Sequence, residues 1–577
     1  MEFTSRMGTL PRIPDDLTIP QFLLDSHHPK RPVNTHRNPW LIDETTGRRI
    51  GLEEIRARTY AVANALSGMF KIREDDVVCI FSPNHVDYPT ALWGIHRLGA
   101  IATCANPAYT ASELQYQLEL SNACLVFTHS LNLSIALEAA RTCNIPSERV
   151  ILLDSPQSAE FKQYLNVDNL VREGLSQEPN FTERRLKPGE AKTKLALLSF
   201  SSGTTGRPKA VAIAHYGLIS NLLQMSVAGK VTEDYTTWED RRYRPGDAIY
   251  AVLPFYHIYG AVVILHFYLF CGYSLVVCTR FNFTQMLKSI ETYRINHLCL
   301  VPPMIVLLCK NPEVKNHDLS SVRFVMSGAA PLSSELTEQL IKVLPNASIA
   351  QAYGMTESST TITFPRMDMK ICTLGSSGMF LPGVTAKVIK EDGSLAGLEE
   401  QGELFVKAPS VALGYYKNLE ATAETFNNGW LRTGDEVIIS KEHEVFIVDR
   451  KKEIFKVRGY QVAPAELEGH LLNHPDVADT CVVPIPDDYS GEVPLAFVTL
   501  TAGAQARVKQ NPAEANRIKA ELIKFVADSK VHYKRLAGGV EFIDVIPKNP
   551  SGKLLRRFLR DKAKELKQSE AAVKAKL

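Results

Sequence analysis

The chain has 577 residues, with 65 Lys and Arg against 63 Asp and Glu and a formal net charge of +2. Hydrophobic residues make up 45% and charged residues 22%, an ordinary balance for a soluble globular protein, and nothing in the net charge points to nucleic acid or to an acidic partner. Ten cysteines are scattered without a C-x-x-C pair, so reduced thiols in an intracellular protein are expected, with no structural zinc.

Residues 1–20 carry Pro11, Pro14 and Pro20 and lack the apolar core of a signal peptide. The pattern predicts a helix over Leu52–Phe70, a buried strand at Asp76–Phe81, a helix over Pro89–Leu98 and a strand at Ile101–Cys104. Further short apolar strands follow at Val150–Leu153, Leu195–Phe200, Ala248–Leu253, Ser274–Cys278, His297–Val301 and Arg323–Met326. Strands alternating with helices predict parallel sheets with crossover helices, an α/β protein. Lys230–Asp247 is polar and is expected to be an exposed loop. The apolar run Ala261–Cys278 approaches the length of a membrane span, but His266 and Gly272 interrupt it. A buried helix followed by a buried strand is the expectation, with no membrane span.

After Gly383 the strands Ala386–Lys390, Gly402–Lys407, Glu436–Ile439 and Val445–Val448 are joined by turns such as Glu391-Asp392-Gly393, predicting a small β-rich unit. The charged stretch Asp449–Val457 reads as a linker. Helices at Pro464–Leu472 and Ala513–Val526 and a strand at Thr480–Pro484 then predict a separate α+β domain of about 120 residues.

Chemistry is concentrated after Phe200, in Ser201-Ser202-Gly203-Thr204-Thr205-Gly206-Arg207-Pro208-Lys209. Glycines let backbone N–H groups close on phosphate oxygens, and hydroxyls and an ammonium add donors. Arg207-Pro208 separate Gly206 from Lys209, so this is not the G-x-x-x-x-G-K-[ST] loop of kinases and GTPases.

SSGTTGRPK resembles the phosphate loop of the acyl-adenylate-forming superfamily: acyl-CoA synthetases, carrier-protein adenylation domains and luciferases. The other motifs follow in family order. They are YHIYG at Tyr256–Gly260, SGAAPL at Ser327–Leu332, QAYGMTES at Gln351–Ser358 and GELFVKAPSVALGYY at Gly402–Tyr416. Then come WLRTGD at Trp430–Asp435, DRKKEIFKVRGYQVAPAELE at Asp449–Glu468 and PKNPSGKLLRR at Pro547–Arg557. The chain is most similar to the 4-coumarate:CoA ligase and luciferase branch.

The resemblance implies a large N-terminal α/β domain of several subdomains, residues 1–451, holding the small β-rich unit. A hinge at Lys452 would join it to a small mobile α+β C-terminal domain, residues 452–577. It implies an AMP-forming acid:CoA ligase that takes ATP, Mg²⁺ and CoA. Ser201 to Gly206 and Lys209 would hold phosphates. Thr356 would contact the phosphate and Glu357 would hold Mg²⁺, which favours carboxylate and phosphate oxygens together. Tyr353 would stack on adenine beside Gly328, Ala329 and Ala330, with Gln351, Gly354 and Gln461 in the nucleotide-binding set. Asp435 would accept both ribose hydroxyls, with Arg450 nearby. Lys553 would stabilise transition-state charge in adenylation; on its own it reads as one more cation of a basic tail. Lys456 and Gly459, with Gln461, would form the face brought in for thioester formation. His257 would gate an acyl pocket that includes Tyr259, Gly260, Ala329 and Gly354.

Two departures bear on the acid. Ala352 stands where the coumarate ligases have glycine, and Ser359-Thr360-Thr361-Ile362 differs from their run. Aryl, aryl-alkanoic and fatty acids remain open. So do three other readings: luciferase-like oxidation, transfer to a carrier protein, and a non-catalytic acyl or nucleotide binder. No carrier domain follows Arg557. Ala575-Lys576-Leu577 resembles the small-basic-Leu address read by the peroxisomal import receptor, so the peroxisome is expected, with the cytoplasm as the alternative.

Overall fold

Residues 77–81 are buried on every side, so the strand Val77–Phe81 takes a central place between two parallel neighbours, Ile101–Ala105 and Ala123–Thr128. The computed structural model describes residues 1–33, 38–201, 208–328, 332, 334–458, 460–487, 490–548 and 552–574, the side chains of 335 and 567–574 excepted. Among them, a seven-stranded sheet runs outward from this centre to Val150–Leu152 on one side. On the other side lie Leu195–Ser201, Lys209–Ala214 and Gly414–Tyr415. Leu195–Ser201 and Lys209–Ala214 are antiparallel, with Ser201 opposite Lys209.

A second seven-stranded sheet has the order Ser348–Gln351, Phe324–Ser327, His297–Leu300, Ala248–Ala251, Ser274–Val277, Leu41–Asp43, Arg49–Ile50. All but its last pair are parallel. The crossover helices carry their own end signals. Leu52–Phe70 starts with Glu53 and Glu54 in its first turn and stops at left-handed Lys71. Ala111–Ser121 opens with a Thr110–Glu113 capping box.

The expected β-rich unit is a six-stranded antiparallel sheet. It gains a strand that the sequence reading did not contain: Glu2–Thr4 pairs with Thr385–Ile389. The C-terminal sheet is built from Tyr460–Val462, Phe455–Val457, Gly491–Leu500, Val477–Asp487 and Val540–Phe542. It packs on the helices Pro464–Leu471, Ala513–Ser529 and Arg556–Lys574. The linker is shorter than expected. Val445–Arg450 belongs to the β-rich sheet and Phe455–Val457 to the C-terminal sheet, so only residues 451–454 cross between them.

The apolar run is the buried π-helical segment Tyr259–Phe267, a last helical turn and the strand Ser274–Val277. Among the described residues no helix is long and apolar enough to cross a membrane. The loop expectation for Lys230–Asp247 is corrected at Arg242 and Tyr243, both buried. The Arg242 guanidinium donates to the carbonyls of Arg366 and Met369. The Tyr243 ring nests against Phe267, His297 and Phe324.

Candidate active site

Four parallel strands of the second sheet deliver their C-terminal ends to one crevice, the usual ligand position in an open α/β sheet. Ala248–Ala251 leads to His257, His297–Leu300 to Val301, Phe324–Ser327 to Gly328 and Ser348–Gln351 to Tyr353. Buried Asn84 braces the first of these connections. Its amide donates to the carbonyls of Ala251 and Leu253 at 3.1 and 3.0 Å, and its oxygen accepts from the Phe255 N–H at 2.7 Å. The sequence reading did not single it out.

Two polar constellations stand at the crevice. In the first, the Tyr353 hydroxyl donates to Asp435 Oδ2 at 2.6 Å. Arg450 Nε lies 3.5 Å from Asp435 Oδ1, from the directly paired position on the neighbouring strand. Burial raises the Asp435 carboxyl above the usual carboxylate range, against the pull of Arg450 and Lys553. In the second, the Tyr415 hydroxyl donates to Oε1 of buried Glu357 at 2.8 Å, and the Lys209 ammonium sits over the Tyr415 ring at 4.9 Å. Tyr415 was not among the candidate residues. Its signal was its place at the end of the motif Gly402–Tyr416.

Lys553 arrives from the C-terminal domain. Burial and Arg450 push its amine down to about 8, against the attraction of Asp435, Glu453 and Glu357. The same cation acts on His257, whose imidazole is pushed down to about 4, chiefly by burial and then by Lys553. His257 is therefore neutral at pH 7, and its Nδ1 accepts from the Tyr259 N–H at 3.3 Å. The preceding Gly552 packs on Val301, whose Cγ2 would stand 2.9 Å from an added Cβ.

The turn after Glu357 is strained. Ser359 and Thr360 have φ of +54° and +119°, costly for a β-branched residue. The Thr360 hydroxyl donates to the Ile258 carbonyl at 3.1 Å, tying the Thr356–Ser358 turn to the His257 segment.

Other candidates have different surroundings. Gln351 uses both ends of its amide on the Leu332 backbone, accepting from its N–H at 2.8 Å and donating to its carbonyl at 3.1 Å. Gly328 lies against the Tyr259 ring. Gly260 and Gly354 are positions of close backbone approach, not open pocket floor. An added Cβ would stand 1.9 Å from the Pro254 carbonyl oxygen and 1.6 Å from that of Thr360. Gly354→Ala is therefore expected to lose more than about 4 kcal/mol in denaturant unfolding, or to fail to accumulate as folded protein. Lys456 and Gln461 are outside the crevice: Lys456 pairs with Glu391 at 2.6 Å and Gln461 accepts from Gln401 at 3.1 Å, all on the exterior. The reason is the orientation of the C-terminal domain, which points Lys553 inward and this face outward. Lys452 is exposed in the linker. Ser202 to Gly206, Ala329, Ala330, Gly459 and Ala575 to Leu577 lie outside the described residues. Among the described residues no cluster of three or more His, Cys, Asp or Glu is arranged to hold a metal ion.

A family profile described as AMP-binding enzyme matches residues 28–416, and one described as AMP-binding enzyme C-terminal domain matches residues 466–553. The chain is 35% identical over 549 residues to a 4-coumarate–CoA ligase-like protein of Arabidopsis thaliana, covering 94% of this chain and 90% of that one. It is 35% identical over 571 residues to an acyl-CoA ligase of Alternaria alternata, covering 95% of each. In fold it matches an anthranilate CoA ligase solved with anthranoyl-AMP, with a TM-score of 0.80 at 24% identity over 96% of this chain and 99% of that one. With the phosphate motif, the strand-end crevice and two profiles across its length, the chain belongs to the AMP-binding enzyme family, in its acyl-adenylate-forming acid:CoA ligase branch.

Proposed function

We propose that this crevice joins a carboxylic acid to CoA in two steps, with Lys553 serving the first. The observation that carries the reading is the packing of Gly552 on Val301, which brings Lys553 within electrostatic reach of Asp435, Arg450, Glu357 and His257. A carboxylate and a triphosphate repel each other, so adenylation needs charge offset and alignment at the α-phosphorus. The carboxylate oxygen bonds to that phosphorus as pyrophosphate leaves. Lys553 offsets the charge gathering between them, and Thr356, Lys209 and the 201–206 segment bind phosphate oxygens. Asp435 accepts the ribose hydroxyls, its Oδ2 being fixed by Tyr353. Neutral His257 bounds the acyl group without adding charge. The CoA sulfur then attacks the acyl carbon and AMP leaves.

Magnesium belongs to the same proposal. Buried Glu357 offers one carboxylate, which suits an ion that takes its other oxygens from phosphate and water. The ion would offset triphosphate charge. The linker around Lys452 would let the C-terminal domain turn so that Lys456, Gly459 and Gln461 face the crevice for thioester formation. Delivery to the peroxisome through Ala575-Lys576-Leu577 is tested by the location of a fluorescent fusion with and without that tripeptide.

The test is pyrophosphate release from a panel of aryl, aryl-alkanoic and fatty acids with Mg-ATP, with and without CoA. Release that CoA converts to thioester supports the ligase. Release without thioester under any CoA concentration overturns the second step, and no release from any acid overturns the first.

A further inference from the structure

The helix Pro302–Lys310 touches the C-terminal domain at both ends. At its start, Val301 packs on Gly552, the neighbour of Lys553. At its end, about 13 Å away, the half-buried Lys310 ammonium donates to the carbonyls of Leu472 at 2.9 Å and Val477 at 2.7 Å. Leu472 is the C-terminal cap of the helix Pro464–Leu471, and Val477 opens the strand Val477–Asp487. The cation meets the Leu472 carbonyl at the negative end of the helix dipole. Two contacts separated along one rigid helix fix an orientation, whereas one contact would leave the domain free to pivot.

We propose that Lys310 is a positioning residue for adenylation, a releasable clamp that holds the C-terminal domain with Lys553 in the crevice. The inference rests on the two-step reading above. Of the other bonds across the boundary, that from the Ala465 N–H to Asp449 Oδ2 at 3.1 Å lies beside the linker. Lys456–Glu391 joins side chains 53% and 71% exposed, and such pairs contribute little. The chemistry of the clamp suits repeated release. Separating a buried ion pair leaves an uncompensated charge. Lys310 bonds to neutral carbonyls, so rotation of the domain returns a lone ammonium to water and leaves no stranded anion.

The test uses the full chain with Lys310→Met, which keeps the stem and removes the donors, and Lys310→Arg, which keeps two donors. Three quantities are measured: pyrophosphate release at saturating acid and Mg-ATP, thioester formation from supplied acyl-adenylate and CoA, and tryptic cleavage after Lys451 and Lys452. Lys310→Met is expected to lower pyrophosphate release at least about tenfold, the low end of the worth of one charge-assisted bond. It should leave thioester formation unchanged or faster and speed linker cleavage. Lys310→Arg is expected to stay near wild type in all three. The clamp is overturned if both half-reactions fall together with a lowered Tm, or if linker cleavage and the ratio of half-reactions both stay at wild-type values. If the wild type releases no pyrophosphate from any acid, the functional reading fails, and linker cleavage alone still decides whether Lys310 holds the domain.

Discussion

Lys553→Ala is expected to lower pyrophosphate release by roughly a hundred- to a thousandfold, the usual loss when a donor aimed at transition-state charge is removed. Thioester formation from supplied acyl-adenylate should change far less, because that step would use the other face of the C-terminal domain. Equal losses in both half-reactions would refute the assignment. The pH dependence gives a second reading of the same group. With the Lys553 amine at about 8 in the ligand-free protein, kcat/KM for ATP should fall as pH rises through about 8. Bound triphosphate favours the charged amine, so the basic limb of kcat should lie higher. In Lys553→Arg the limb should vanish, since a guanidinium stays charged. The folded value lies below the ordinary lysine value of 10.5, so the unfolded chain binds more protons between the two. The half-buried cation thus opposes folding fully below about pH 8, and the penalty is relieved as pH rises through that value toward 10.5. Lys553→Met is therefore expected to raise Tm at pH 7 while it slows adenylation as Lys553→Ala does: the charge is kept for chemistry.

Asp435→Ala is expected to raise KM for ATP by about a hundredfold, two hydrogen bonds to a charged acceptor being lost at once. It should also act at a distance. Asp435 attracts the Lys553 proton while Arg450 repels it. Without the carboxylate the amine drops further, so the basic limb of kcat/KM should move below that of wild type. A raised KM with an unmoved limb would break the link between the ribose carboxylate and the lysine. Asp435→Asn should retain part of the ribose binding and show the same displaced limb.

Local pattern carried much of the fold. The helix Leu52–Phe70 is read with its observed ends, because one amphipathic run is bounded by its own stop and start signals. Strands buried on both faces are likewise legible from unbroken apolar runs. What the local text could not carry is partnership across the chain. Arg242 and Tyr243 sit in a segment whose charges spell an exposed loop, and their burial depends on carbonyls and rings from 24 to 127 positions away. Glu2–Thr4 is too short for any periodicity and is a strand only because Thr385–Ile389 offers it an edge.

The candidate site divides in the same way. Motifs named Tyr353, Asp435, Glu357 and Lys553, and their convergence is a property of the folded chain. The Tyr353–Asp435 and Tyr415–Glu357 bonds join residues 82 and 58 positions apart, and nothing in either motif announces the other. Gln351 and Gly354 show the opposite difficulty. They stand in the most telling string of the sequence, yet the amide is spent on Leu332 and the glycine on the Thr360 carbonyl. A motif marks where a site is built without saying which of its members face the ligand.

The amino-terminal strand also sets a clock. Ser5 bonds to Phe380 across 375 positions, so the β-rich sheet cannot be completed until most of the chain has left the ribosome. At about 5 to 20 residues per second, the nascent first strand waits roughly 20 to 75 seconds for its neighbour. During that wait the first strand, and afterwards Thr385–Ile389 until the two meet, can pair with another chain. Brevity is the protection: a strand of three residues offers too few backbone bonds to hold a wrong partner, and closing the sheet with it becomes a late act of synthesis.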